Sequence, residues 1–390
     1  MNAPSPFDTS ALAGLMLAGA LLAMLPLIWV GWRNRGASPV KRLHALALLT
    51  LVLTFDLVLF GAFTRLTDSG LGCPDWPGCY GSVTPLGARG EIAQAQAAMP
   101  TGPVTTSKAW IEMSHRYFAT GVGVLILVLA IASWVSRQGR AQISPWWATA
   151  TLVWVCVQGA FGALTVTMKL FPAIVTLHLL GALILLALLT VQVVQHSIPS
   201  RRIGIVGGQA VIDIATRRLA WLAIAAIAVQ IALGGWVSTN YAVLACSEFP
   251  KCQGSWWPAM NFDQGFEIWR KLGFTQSGEV IGFEALTAIH YAHRMMAVVA
   301  VLVTAALALR LNGLSGMRTA SRWIAALLGL QLATGLSNVV LGWPLLAALL
   351  HTGGAAALMI ALTWVVAASR VSAQVRPANA PRLKMPGLNA

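Results

Sequence analysis

Residues 173–194 read AIVTLHLLGALILLALLTVQVV, and this stretch decides the fold class. It contains no Asp, Glu, Lys or Arg. A run of about 20 apolar residues is long enough to cross the hydrocarbon core of a bilayer, which is about 30 Å thick. The stretch is therefore predicted to be a transmembrane helix. One imidazole, that of His178, lies near its beginning.

Eight similar runs indicate that the whole chain is a polytopic membrane protein. Of its 390 residues, 57% are hydrophobic and 10% are charged, and the mean hydropathy is +0.72; a soluble domain has about 25% charged residues. The run nearest the N-terminus, 11–31, lacks the basic segment and the A-x-A site of a signal peptide, so we expect it to be a transmembrane helix. The expected fold class is all-α with about nine spans. The other runs lie near 11–31, 43–63, 113–135, 147–167, 218–237, 287–309, 321–341 and 345–369.

The charged residues predict the orientation in the membrane. The formal net charge is +14, but the cations lie mostly in short loops between apolar runs and in the C-terminal tail. Because they form no basic face, nucleic-acid binding is not expected. Loops on one side of the membrane hold most Lys and Arg, and loops on the other side hold most Asp and Glu. The positive-inside rule then places the N-terminus outside and the C-terminus in the cytoplasm.

Two parts of the chain repeat each other, with matching features 173 or 178 residues apart. We therefore expect two four-helix bundles in the same orientation, related by a pseudo-twofold axis along the membrane normal. The matching features are CPDWPGC (73–79) with CSEFPKC (246–252), Gln158 and Gly162 with Gln331 and Gly335, His115-Arg116 with His293-Arg294, and His178 with His351.

The repeat divides the chain into five predicted segments. Each bundle has a long outer loop, 64–110 or 238–285, rich in Gly, Pro and Trp and expected to fold over the outer end of its bundle. The segments are an extra N-terminal transmembrane helix with a cytoplasmic loop (1–42), an N-terminal four-helix bundle (43–195), a cytoplasmic linker (196–216), a C-terminal four-helix bundle (217–370) and a cytoplasmic tail (371–390).

Four histidines are candidate metal ligands because they lie at similar depth near outer helix ends: His115 and His178 in the first bundle, His293 and His351 in the second. Ionisable side chains inside a membrane are usually functional. Two imidazoles facing each other across a bundle suit axial ligation of haem iron. Hydrogen bonding to neighbouring helices explains a single His better than a repeated pair. Structural zinc and di-iron sites are disfavoured because they need clustered Cys or several inward Glu residues.

The cysteines predict one disulfide in each outer loop, Cys73–Cys79 and Cys246–Cys252. The five residues between the partners form a short loop that a disulfide can close, and the loops face an oxidising compartment. Plain cross-linking and a redox-active couple in the first loop both stay open. Cys156 lies in an apolar run without a partner and is expected to be a small core residue.

The two bundles differ at one aligned position. When the two His-Arg pairs are superimposed, Glu112 stands where the second bundle has His290. Residues three apart share a helix face, so Glu112 is expected one turn outward of His115. An ion pair with Arg116 or Arg65 would give the carboxyl group a structural role. A proton donor or acceptor, or an anchor for substrate, would give it a chemical one, and this asymmetry favours chemistry in the first bundle only.

Several of these motifs resemble the haem A synthase family: GAFTRLTDSGLGCPDWPGC (61–79), IEMSHR (111–116), His178 and the second His-Arg pair. The resemblance covers about 43–370. It implies an oxidoreductase of the bacterial cytoplasmic membrane that oxidises the C8 methyl group of haem O to the formyl group of haem A for terminal oxidases. The implied partners are haem O and membrane lipid, with haem O synthase and a homo-oligomer as further candidates.

The resemblance also implies a role for each matched residue. Arg116, Arg294 and Arg65 are in addition our candidates for contact with haem propionates. By position, His115 and His178 would hold haem O as substrate, His293 and His351 would ligate haem b, Glu112 would be the catalytic glutamate, and Cys73 and Cys79 would be the first-loop cysteine pair.

Two features depart from the family pattern, namely the extra helix at 11–31 and His290. Two other functions also stay open. A bis-His di-haem cytochrome would pass electrons through both haems, and a haem carrier would bind and release haem O unchanged. The lone Glu112 favours the enzyme, because an electron relay has less need of a single acid.

Overall fold

The computed structural model describes residues 9–137, 144–197, 212–314 and 316–374, and this part of the chain is almost entirely helical. Nine of its helices are long and apolar enough to cross a membrane, which confirms the predicted all-α fold with about nine spans. Most of the predicted linker 196–216 and tail 371–390 lies outside the described residues. The helices are α1 (Thr9–Arg33), α2 (Pro39–Leu66), α3 (Arg89–Ala98), α4 (Thr106–Ser136), α5 (Trp146–Thr167), α6 (Pro172–His196), α7 (Ile214–Thr239), α8 (Phe262–Gly265), α9 (Phe283–Asn312), α10 (Arg318–Val340) and α11 (Leu345–Gln374), with a 3₁₀ helix at Ala242–Leu244.

Polar caps explain where several membrane helices begin. Ser38 caps α2, and Thr105 caps α4 by accepting a hydrogen bond from the backbone N–H of Lys108 at 3.3 Å. Asp213 caps α7 in the same way, 2.9 Å from the N–H of Thr216, and these hydrogen bonds lower the pKa of Asp213. Each cap satisfies a backbone donor that the helix itself leaves unpaired.

Each repeat folds as a ring of four long helices. In the first unit (α2, α4, α5 and α6), both α2 and α5 pack against α4 and α6. In the second unit (α7, α9, α10 and α11), both α7 and α10 pack against α9 and α11. Over the described ranges, α4 and α6 do not contact each other, and neither do α9 and α11. These two pairs of helices therefore face each other diagonally across their rings.

The two units pack side by side through α6 and α11. The flanking contacts are also equivalent, since α2 touches α11 just as α7 touches α6. Buried leucines of α6, including Leu186 and Leu189, fill the core of the first unit, which Ala356 of α11 completes. Leu307 and Leu362 belong to the separate core of the second unit. Helix α1 stays outside both rings and packs mainly against α4.

The sequence predicts Cys156 in the core, and this prediction is wrong. Cys156 is a free cysteine exposed on the surface of α5. Helix α5 is apolar on nearly every side. Its hydrophobic periodicity therefore cannot distinguish the face that meets lipid from the face that meets protein.

The loops 67–105 and 240–282 lie at the same end of the bundle, which we call the disulfide end. The predicted disulfides are confirmed, with S–S distances of 2.08 Å for Cys73–Cys79 and 2.01 Å for Cys246–Cys252. In each loop the second cysteine also pairs by backbone hydrogen bonds with the serine three residues later. The two loops thus share one local fold, as the repeat in the sequence predicts.

Candidate functional site

The four candidate haem-ligating histidines lie on the diagonal helices of the two rings. His115 on α4 and His178 on α6 are close enough to interact electrostatically, and so are His293 on α9 and His351 on α11. Because each pair of helices is held apart by two flanking helices, the space between the imidazoles is the interior of the ring. The structure thus brings together the pairs that the sequence predicts.

Each of these imidazoles lies against a glycine of the preceding long helix. A Cβ atom placed on any of the four glycines would come within 3.0–3.4 Å of the ring, so a larger residue would crowd the imidazole. Their numbers repeat at 173, like the histidines of α6 and α11. Sequence reasoning used two of these glycines as repeat markers and missed the other two. The pairs are Gly61 with His115, Gly162 with His178, Gly234 with His293, and Gly335 with His351.

The exposure of these histidines differs from that of the other buried ones. All four are enclosed by protein, yet each keeps an intermediate accessible surface. By contrast, His196 is 1% exposed and His290 is 3% exposed. The four imidazoles therefore border open space inside the helix bundles, whereas the imidazoles of His196 and His290 are closely packed.

Polar side chains contact Nδ1 in three of the four imidazoles. The hydroxyl of Thr334 lies 3.0 Å from Nδ1 of His351. The amide groups of Gln158 and Gln230 lie 3.3 Å and 3.1 Å from Nδ1 of His178 and His293. A metal-bound histidine usually donates the proton of its other ring nitrogen to an acceptor, a role that the hydroxyl of Thr334 can fill and that the amide nitrogens of Gln158 and Gln230 cannot. For His351 the Thr334 hydroxyl can accept the Nδ1 proton and leave Nε2 free to bind iron.

The donor set fits haem better than a bare metal ion. Over the described ranges, no group of three or more His, Cys, Asp and Glu side chains converges on one point. A protein-only metal site needs more ligands than two imidazoles, whereas a porphyrin supplies four nitrogens and leaves two axial positions. Two facing histidines, backed by glycine and bordering open space, match those axial positions in each unit.

Glu112 links α4 to the first disulfide loop. The backbone N–H of Cys73 donates to one carboxylate oxygen at 2.7 Å, and the guanidinium of Arg116 forms an ion pair with the other. Both charged side chains are buried. Gly72 packs so closely on α4 that a Cβ there would lie 2.4 Å from the carbonyl carbon of Lys108. The ion pair that the sequence leaves open is therefore made with Arg116.

Arg116 also holds the loop through three carbonyl groups. Its Nη1 donates to the carbonyl oxygens of Asp75, Pro77 and Gly78 at 3.0, 3.3 and 2.6 Å. The guanidinium thus joins the disulfide loop and Glu112 in a single network. A charged donor with four acceptors fixes the loop over the end of α4 more firmly than neutral hydrogen bonds would.

The second unit keeps the arginine and replaces the carboxyl group. Arg294 donates to the carbonyls of Cys246 and Glu248 at 2.8 Å and to that of Lys251 at 3.1 Å. His290 places Nδ1 3.0 Å from the carbonyl oxygen of Ala242. Only two ion pairs occur within the described residues, Arg116–Glu112 and one made by Arg65. His290 is thus buried and contacts its own outer loop at the position where the first unit has an acid.

Arg65 connects the two units at the disulfide end. It pairs with Asp68 at 3.0 Å, donates to the carbonyl of Ser238 at 2.5 Å and stacks over the ring of Tyr241 at 4.2 Å. The hydroxyl of Tyr241 in turn lies 2.7 Å from Asp68, and burial raises the pKa of this tyrosine. Ser238 and Tyr241 lie 173 residues after Arg65 and Asp68, so repeat-related positions meet here. Contact of Arg65, like that of the other two candidate arginines, with a propionate stays a prediction.

One acidic residue inside the membrane region was missed by sequence reasoning. Asp56 lies within α2 and is exposed on its surface. A single charge inside an otherwise apolar run was the available signal. Asp56 lies five residues before Gly61 on the same helix, and the aligned position 173 residues later is Val229.

Comparison with known proteins identifies similar sequences over most of the chain. The sequence model of the COX15-CtaA family, described as cytochrome oxidase assembly protein, matches residues 44–363. A protein of Shewanella oneidensis named heme A synthase is 37% identical over 320 residues, which cover 81% of this chain and 93% of that protein. A heme A synthase of Rhizorhabdus wittichii is 29% identical over 356 residues, covering 85% and 95% of the two chains. One of Rhodospirillum centenum is 26% identical over 361 residues, covering 85% and 90%.

Proposed function

The chain belongs to the COX15-CtaA family of cytochrome oxidase assembly proteins, and on that premise we propose that it synthesises haem A. In this proposal it is an oxidoreductase that converts the C8 methyl group of haem O to a formyl group. The observation that carries the proposal is the asymmetry between two otherwise matched units. One has the buried carboxyl group of Glu112 one helical turn before His115, and the other has His290 at the aligned position.

In this proposal His115 and His178 hold haem O as substrate, and His293 and His351 hold haem b as a resident cofactor. The matched glycines, and the open space that all four rings border, support one haem in each unit. Haem b, when bound, supplies one-electron redox chemistry. Assigning the substrate to the first unit rests on Glu112, because only this unit offers a carboxyl group near the histidine pair.

Glu112 is proposed to position water at the methyl carbon and to accept its proton. The carboxylate accepts hydrogen bonds from the backbone N–H groups of Gly72 and Cys73 and from Arg116, and its two oxygens keep a lone pair for water. Glu112 precedes His115 by three residues, so their side chains lie one turn apart along neighbouring faces of α4. Each of two oxidations would add one water oxygen to the methyl carbon and release two protons and two electrons, which would pass one at a time to an external electron acceptor. The resulting gem-diol would lose water to form the aldehyde.

We place the protein in the bacterial cytoplasmic membrane with the disulfide end outside. The positive-inside pattern and the two disulfides support this orientation, since disulfides persist in oxidising compartments. Haem O synthase, as the source of substrate, and a homo-oligomer remain predicted partners.

Extraction and chromatography of cellular haems test the proposal. Cells that make haem O but lack another haem A synthase should contain haem A only when this protein is present. Glu112→Gln should lower haem A by about 100-fold or more, the usual contribution of a positioned acid or base. Glu284→Gln is the matched control, because Glu284 is an exposed acid at the start of α9 in the other unit.

Two results would contradict the proposal. Haem A that appears without the protein would remove the enzymatic assignment. Wild-type amounts of haem A with Glu112→Gln would leave a di-haem cytochrome or a haem carrier as the better description, because neither needs this carboxyl group.

A further inference from the structure

Helix α1 lies outside the residues matched by the family model and packs on one unit only. Its main contact is α4, with a smaller one to α2. Ala11, Leu15, Ala23 and Val30 form a buried stripe along one side of α1, and the opposite side exposes large apolar residues. The helix therefore has one protein face and one lipid face.

The first part of the protein face contacts the first disulfide loop. A Cβ on Gly78 would lie 3.2 Å from the Cβ of Ala11, and a Cβ on Gly14 would lie 2.5 Å from a methyl carbon of Val83. The same two loop residues are bound by α4. The carbonyl of Gly78 accepts a hydrogen bond from Arg116, and that of Val83 accepts one from the hydroxyl of Tyr117 at 2.5 Å. The loop is thus held between α1 and α4.

Close packing in the next turns fixes α1 against α4. A Cβ on Gly19 would lie 2.4 Å from the side chain of Thr120, and a Cβ on Gly121 would lie 3.4 Å from the carbonyl oxygen of Gly19. Small residues let two membrane helices approach this closely and gain dispersion contacts. These contacts set the axial position of α1 along α4, and therefore the positions of Ala11 and Gly14.

We call these contacts of α1 with the first disulfide loop and α4 the clamp, and among the described residues the second unit has no equivalent of it. Val298 and Val299 of α9, which correspond to Thr120 and Gly121, are 54% and 48% exposed. Trp256, which corresponds to Val83, is 64% exposed. These side chains offer no surface of small residues to a neighbouring helix. In the part of the chain that the structure describes, the clamp is therefore made on the unit that contains Glu112.

We propose that α1 is a positioning element that presses the first disulfide loop onto α4. Through the loop it keeps the N–H of Cys73 and the guanidinium of Arg116 on the carboxyl group of Glu112. Ala11, Gly14 and Gly19 are the positioning residues of this clamp. The effect of α1 on catalysis rests on the proposed function. The effect of α1 on the position of the loop is independent of that function.

Gly14→Ala tests the clamp directly. Both methyl carbons of Val83 lie within 2.6 Å of the new Cβ position, so rotation of the valine cannot relieve the overlap and the loop must move. Gly31→Ala is the matched control, because a Cβ at Gly31 meets no atom within 4 Å on the same helix. Val83→Ala added to Gly14→Ala removes both methyl groups and should restore the loop.

The readout is the rate at which each disulfide is reduced and then labelled with a maleimide, in the full chain in membranes. A Cys156→Ser background removes the free thiol. Gly14→Ala should label Cys73 and Cys79 about tenfold faster, the change that about 1.4 kcal/mol of lost local protection gives. Labelling of Cys246 and Cys252 in the same molecules should not change, and the added Val83→Ala should return the first rate to its starting value.

Equal labelling in Gly14→Ala and Gly31→Ala would overturn the clamp, and so would equal acceleration of both disulfides, which indicates general destabilisation. Haem A measured in the same cells separates the two proposals. Selective loosening of the first loop supports the clamp even if the wild-type protein makes no haem A. Unchanged labelling refutes the clamp even if wild-type haem A is normal.

Discussion

Replacing Arg116 by Gln should open the first disulfide loop far more than the same change at Arg294 opens the second. Removal of one partner from a buried ion pair costs about 3–5 kcal/mol, because the other charge stays buried and unpaired. Arg116→Gln leaves Glu112 in that state, since both side chains are buried in the structure. Arg294 is bound only by neutral carbonyls at a partly exposed site, so its loss should cost about 1–2 kcal/mol. The difference, about 1–4 kcal/mol with a midpoint of about 2.5 kcal/mol, corresponds to at least about 5-fold and typically about 60-fold in an opening equilibrium.

Disulfide reduction in membranes measures this opening for both loops in one experiment. When opening and closing are fast, the rate of attack follows the population of the open form. Arg116→Gln should accelerate reduction of Cys73–Cys79, and Arg294→Gln should accelerate that of Cys246–Cys252 by much less. In each variant the other disulfide serves as the internal reference, because the two loops share one local fold.

The double variant Glu112→Gln with Arg116→Gln isolates the physical cause. It leaves no unpaired charge, so most of the extra acceleration seen with Arg116→Gln alone should disappear. If the double variant opens as readily as Arg116→Gln, the loss of hydrogen bonds to the loop explains the effect. If Arg116→Gln accelerates its loop no more than Arg294→Gln does, the buried ion pair has no special role in holding the loop.

Three further predictions concern the haem sites. Gly335→Ala should weaken haem binding in the second unit, because its Cβ would lie 3.1 Å from the ring of His351. Gly329→Ala on the same helix is the control and should leave binding unchanged, because its Cβ meets no atom within 4 Å. Absorbance spectra of the two purified variants measure the difference. His293→Ala should abolish a six-coordinate b-type spectrum that His290→Gln retains, since His290 is closely packed against a backbone carbonyl, and equal loss in both would contradict the assignment. The formyl oxygen should come from labelled water when the aldehyde is reduced promptly after synthesis, and label taken entirely from O2 would exclude the water-attack mechanism.

The membrane architecture could be predicted from the sequence because it depends on local properties. Hydropathy located all nine spans, since the thickness of the bilayer sets the length of each apolar run. The two disulfides could also be predicted, because the partners are close in sequence. Cys156 could not be placed, because in a membrane protein both the core and the lipid-facing surface are apolar.

The contacts that build the site were largely hidden because they join residues distant in sequence. The repeat predicted which histidines matter, but not that each ring lies against a glycine of another helix. The choice of Arg116 as the partner of Glu112 depends on the path of the disulfide loop, as does the N–H that Cys73 supplies. The contact of α1 with Val83 could not be predicted either. The spacing of small residues shows that a helix can pack closely, but it does not identify the element that the helix packs against.

The polarity of the backbone around positions 112 and 290 explains why the two residues are not interchangeable. At position 112 three donors converge, the N–H groups of Gly72 and Cys73 and the guanidinium of Arg116, so the side chain must be an acceptor. At position 290 the carbonyl of Ala242 is an acceptor, so the side chain must donate, as Nδ1–H of an imidazole can. A histidine at 112 has a single acceptor nitrogen and would leave donors unsatisfied, and a carboxylate at 290 would face a carbonyl oxygen across about 3 Å, with a strong repulsion. The difference between the units therefore resides in the conformation of their loops as well as in two side chains. A functional difference between the two proposed haem sites would explain why the duplicated fold has two different loop conformations.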